Sequence, residues 1–226
     1  MLGISLDKSI NFIKSNSNFI LLIWVLSSLS LCFVGWLETT PLKDNAVASI
    51  TINLAASFFN IWLFVSMIHR IKVQAIDGGD ETYGESLLHG LYSAPGYILV
   101  ALGYSLMLLI GLFLLVIPGV WVGANFVFAP TLAVFDISAD EMSYSHSKRL
   151  VQGNFMIGLL FAILSIIMES SSQLIVTIGE GMGLTLLFYV PMFFVLMALG
   201  VLVECWSSFT VIELVKSKLA VTDQQV

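Results

Sequence analysis

Charge is scarce in this sequence. Asp, Glu, Lys and Arg make up 11% of its 226 residues, against about 25% in a soluble domain. From Ser86 to Phe135 there is none for 50 residues. Hydrophobic residues account for 58%, and the mean hydropathy is +0.97. A water-soluble fold of this length has no interior large enough for so much apolar surface, so lipid is the expected solvent.

Other shortages remove function classes. The nine basic residues form no cluster, which leaves nothing to grip nucleic acid. There are two cysteines, Cys32 and Cys205. Cys32 is expected in the outer half of its span and Cys205 near the inner end of another, too far apart for a disulfide. His69, His89 and His146 are separated by 20 and 57 positions, a spacing that matches no metal signature. "GEGMG" (Gly179–Gly183) lacks the Lys-Ser/Thr of a phosphate loop. "DGGDETYGE" (Asp77–Glu85) lacks calcium-loop spacing and reads as a solvated loop. No catalytic, metal or cofactor motif is present, so the chain reads as a non-enzyme without a cofactor.

What is there is a series of apolar runs. A helix needs about 20 apolar residues to cross the hydrocarbon core. Such runs fall near 18–37, 47–69, 96–117, 119–135, 155–177 and 184–206. The first follows Lys8 and Lys14 but no small-x-small cleavage site comes after it, so an uncleaved transmembrane helix is expected. The basic residues test this map. Lys8 and Lys14, Arg70 and Lys72, Lys148 and Arg149, and Lys216 and Lys218 all fall on one side if there are six crossings; Lys43 alone falls on the other. The positive-inside rule then puts both termini in the cytoplasm. The expected fold is a single all-α, polytopic domain over 1–226. Short amphipathic helices at the inner interface, near Ser9–Lys14, Tyr83–Tyr92 and Met142–Val151, lead into crossings. "SNSNFILLIW" and "VQGNFMIGLL" open two of those crossings alike, which hints at an internal repeat.

Pro118-Gly119 is the only punctuation between the third and fourth runs. It fits a tight outer turn, since proline lacks an amide hydrogen and glycine tolerates positive φ. A kink or re-entrant break is the alternative. Gly119 and Gly123 form a small-xxx-small pattern, suited to close helix packing within the chain or to self-association.

Ionisable groups at depth are functional candidates. Glu169 lies about 22 Å above the start of its run. Asn53 and Asn125 are expected about 9 and 10 Å below the outer boundary. The three define a candidate intramembrane polar site, or else make ordinary interhelical hydrogen bonds. Glu204 is expected near the inner end of its run. The tryptophans are expected as interfacial anchors.

"LLVIPGVWVGANFVFAPTLAVFD" followed by "YSHSKRLVQGNF" and another crossing resembles the YciC family of bacterial inner-membrane proteins. It is similar, more distantly, to the membrane domain attached to some glycerophosphodiester phosphodiesterases, whose catalytic barrel has no counterpart in this sequence. The matching segment is roughly Leu114 to Ile166. The resemblance implies a multi-pass protein of the bacterial inner membrane, with no catalytic residues to carry over. The leading expectation is a non-enzymatic envelope protein whose partners are membrane lipids, further copies of itself or other envelope proteins. The alternative is a small transporter built around Glu169.

Overall fold

The computed structural model describes residues 1–37, 45–114, 116–135, 143–182 and 186–223. Among these there is no strand, and the chain is all-α. Its elements are α1 (Leu2–Ser15), α2 (Ser17–Leu37), α3 (Ala46–Lys72) with a π-helical extension (Val73–Asp77), α4 (Tyr83–Leu114), α5 (Val116–Phe126), α6 (Ala129–Phe135), α7 (Ser143–Val151), α8 (Phe155–Met182) and α9 (Leu186–Asp223). Five stretches are long and apolar enough to cross a membrane: Ser17–Val34, Ala46–Asp77, Tyr83–Phe113, Ile117–Phe135 and Phe194–Lys218. Taking α7 with the first part of α8 as one bent span makes six. This is a polytopic helical protein.

The four basic segments meet at one end. Lys8 of α1 is paired with Glu213 of α9. Lys216 Nζ donates to Ala75 O in the π-turn, and Lys218 Nζ to Gln152 O after α7. Arg70 of α3 donates to Asn16 before α2. The packed core lies towards this basic end, where Phe19, Ile23, Leu63, Ile71, Phe128, Phe161 and Ile212 are all buried. Farther along the helices the apolar side chains face outward: Val47 is 75% exposed, Phe113 90% and Ile117 81%. In lipid such exposure costs little, and helix contacts are specified instead by small residues and polar ties.

Glycines make the close approaches. A Cβ on Gly90 of α4 would lie 2.6 Å from Ser66 Cα of α3. One on Gly158 of α8 would strike the carbonyl oxygen of Ala124. Indole N–H groups make the ties. Trp24 donates to Phe194 O at 2.7 Å, Trp62 to Leu87 O at 2.7 Å and Trp206 to Leu2 O at 3.2 Å. These three tryptophans therefore join helices, a role beyond that of interfacial anchors.

Several boundaries differ from the sequence expectation. Tyr83–Tyr92 is not a separate interfacial helix; α4 runs through Pro95 without a break. Membrane helices tolerate an interior proline because neighbours re-satisfy the freed carbonyls. α1 and α7 are separate, as expected. Between α7 and α8 the axis turns by 119°, and Gly153 takes φ 89° there, a conformation that suits glycine.

α4 and α5 do form an antiparallel hairpin: Gly111 faces Gly119, and Leu108 faces Gly123. Pro118 and Gly119 are not its turn, however. They already lie in the first turn of α5, where a proline's missing N–H has no helical partner to lose. The run expected at 119–135 is broken at Val127–Phe128. The helix restarts with Pro130 at its second residue, for the same reason.

Candidate functional site

The 78–85 segment links α3 to α4 at the basic end. α3 ends in a π-turn capped by Gly78 at φ 68°, and α4 is started by a capping box in which Thr82 and Glu85 exchange hydrogen bonds. Together with the α1–α2 junction, this segment walls an open polar cavity of about 720 Å³ lined by Ser15, Asn16, Arg70, Gln74, Gly79–Tyr83 and Glu85.

Arg70 organises the cavity and is only 5% exposed. Its Nε donates to Asn16 Oδ1 at 2.7 Å. Its Nη1 donates to Glu81 O at 2.6 Å and Ser86 Oγ at 3.1 Å. Its Nη2 reaches Asp80 Oδ1 at 3.5 Å, the far edge of hydrogen-bond range. The guanidinium carbon is 5.2 Å from the Phe19 ring and 5.0 Å from the Tyr83 ring, a cation–π cradle. Asn16 and Gln74 bond each other through both amides, at 3.0 and 3.2 Å. Of the five guanidinium donors, three are committed to short bonds, and Nη2 is the least engaged. Asp80, Glu81 and Glu85 line the same cavity, with the Glu81 carboxylate turned to His69 and Ser86 and that of Glu85 bonded to Thr82. The cavity thus holds one cation against three anions, and Asp80 is 85% exposed and free to rotate.

On the other side of this segment, His69 and His89 stack with centroids 4.9 Å apart and planes 19° apart. His69 Nε2 is 3.4 Å from Glu81 Oε1. The spacing in sequence matches no metal signature, yet the α3–α4 hairpin, closed tightly at Gly90 and Ser66, brings both rings to one carboxylate.

The expected polar site is distributed differently. Asn53 lies near the start of α3, exposed, with its amide on Ser49 O of its own helix at 2.9 Å. Asn125 is buried, with its amide on Trp121 O at 2.8 Å. Its carbonyl accepts from Ser147 of α7 at 2.8 Å, beside the first turns of α8. Each asparagine amide is thus committed to its own helix. Glu169 lies in α8, and its side chain is outside the described residues. Gly119 sits against Leu112, whose backbone nitrogen a Cβ would approach to 2.8 Å, and Gly123 faces Leu108 and Ala162. Both glycines thus face neighbours within the chain.

A second cavity, of about 240 Å³, lies among α3, α4, α8 and α9. Tyr97, Ser165 and Glu204 line it, with Ile61, Phe64, Met168, Gly200 and Val203. Glu204, expected near an interface, is the carboxylate of this cavity.

No family model, no curated protein sequence and no solved structure matches this chain.

Proposed function

We propose that this chain is a YciC-like protein of the bacterial inner membrane, with its basic end in the cytoplasm, that binds a membrane lipid by its headgroup and catalyses no reaction. The observation that carries this reading is the Arg70 cavity. It lies at the basic end, where the apolar stretch of α2 begins and that of α3 ends, a level suited to headgroups. Its charges suit a zwitterion: the guanidinium's Nη2 edge takes a phosphate, and the exposed carboxylates of Asp80 and Glu85 take an ammonium. A purely anionic headgroup meets three carboxylates and is disfavoured by like charge.

The chemistry points to a phosphoethanolamine headgroup. Mass spectrometry of lipid co-purified with the full chain tests this. Phosphatidylethanolamine is expected to be enriched over its share of the source membrane. A lipid profile equal to the bulk membrane overturns the proposal.

One observation favours a second reading, a small transporter: Glu204, with Tyr97 and Ser165, in the cavity between four helices. An intramembrane carboxylate facing a cavity marks a pathway for ions or protons by default. Ion- or proton-coupled flux in proteoliposomes, abolished by Glu204→Gln, supports it. Absence of flux, or flux unchanged in the variant, removes it.

A further inference from the structure

We infer that His69, Glu81 and His89 form a binding site for a late first-row divalent metal ion of the zinc type. One ligand atom from each lies within 4.8 Å of the others. The three come from three different places: the last turns of α3, the connecting segment, and the second turn of α4. Two imidazoles and one carboxylate suit such an ion; calcium and magnesium prefer oxygen ligands throughout.

The donors are held in place before any ion arrives. Glu81 is fixed at its main chain by Arg70 Nη1, at 2.6 Å, and at Oε2 by the Ser86 hydroxyl, at 3.3 Å. That leaves Oε1 towards His69, 3.4 Å away. Two ligands of a tetrahedral ion with bonds of about 2.0 Å stand about 3.3 Å apart, so this pair already has the required separation. The third donor, within 4.8 Å of the others, closes by up to about 1.5 Å, and His89 is exposed and free to do so. Lys72 opposes a cation there, but Glu85 stands beside His89 and offsets it. With three protein ligands the ion keeps an open position for water or an exogenous donor.

A bound ion would tie α3 to α4 across the segment that walls the Arg70 cavity. Glu81 also lines that cavity, but ion binding is read directly, so the metal site stands or falls apart from what the cavity holds. The test uses the full, tag-free chain in detergent micelles, equilibrated with Zn²⁺ and then freed of unbound ion. Elemental analysis is expected to find about one zinc per chain, and Co²⁺ is expected to give the intense visible absorption of a low-coordinate site. His89→Ala tests ligation at an exposed position whose one described ring contact is the stack on His69. It should weaken zinc binding by more than the roughly 10–100-fold that loss of a mere orienting partner costs. Glu81→Gln should weaken it as well, and Ca²⁺ and Mg²⁺ should not compete. Wild-type protein that retains no zinc overturns the inference, as does His89→Ala retaining zinc with wild-type affinity.

Discussion

Gly90 of α4 lies against Ser66 of α3 so closely that an added Cβ would sit 2.6 Å from the serine Cα and 2.7 Å from its Cβ. That single crossing places Arg70 beside Ser86 and His69 beside His89, so both polar features of the basic end depend on it.

Gly90→Ala should therefore lower stability by about 1–3 kcal/mol, the range for overpacking a filled interface. Thermal unfolding in detergent, followed by tryptophan fluorescence, reads this. Gly96→Ala is the matched control: a Cβ at Gly96 meets nothing within 4 Å. It should be neutral, or stabilising by up to about 1 kcal/mol, because alanine is the better helix former. Equal melting temperatures for the two variants would mean that α3 and α4 do not approach as described.

Arg70→Lys keeps the charge but loses the fork that reaches Asn16, Glu81 and Ser86 together. An ammonium cannot make those bonds at once, and the polar groups it leaves behind are buried. A loss of about 3 kcal/mol is expected, as for breaking a buried charged network. Denaturation of purified protein checks the magnitude. A lysine variant as stable as wild type would reduce Arg70 to a surface charge.

Topology offers a third test. With both native cysteines replaced by serine, a single cysteine at Val47 should react with an impermeant maleimide added to intact spheroplasts, since Val47 opens α3 at the end opposite the basic one. A cysteine at Asp77 should react only after the membrane is opened. The reverse pattern would invert the orientation drawn from the basic residues.

Much of the fold is legible in the sequence because membrane constraints are strong. The apolar runs and the side-to-side placement of Lys and Arg give the helices and the common end of the basic segments. Helix breaks are less legible, since Pro95 and Pro130 look alike in sequence. One is absorbed within α4 and the other falls in the first turn of α6, and only packing decides which. The candidate site is the least legible part. Residues 69, 81 and 89 meet because α3 and α4 cross at Gly90 in a particular rotation, and depth arithmetic carries no rotation. For the same reason the sequence does not show that the Asn53 and Asn125 amides turn back onto their own helices. Arg70 reads as one of a pair of inner basic residues. Nothing in its local sequence marks it as buried between Phe19 and Tyr83.

The most direct measurement of the central claim is native mass spectrometry of the protein with equimolar phosphatidylethanolamine and phosphatidylglycerol of matched acyl chains. Phosphatidylethanolamine should dominate the bound population of the wild type. The preference should shrink in Asp80→Asn combined with Glu85→Gln, both of which are exposed positions. Equal binding of the two lipids by the wild type, or a preference that survives neutralising both carboxylates, would contradict headgroup recognition at the Arg70 cavity.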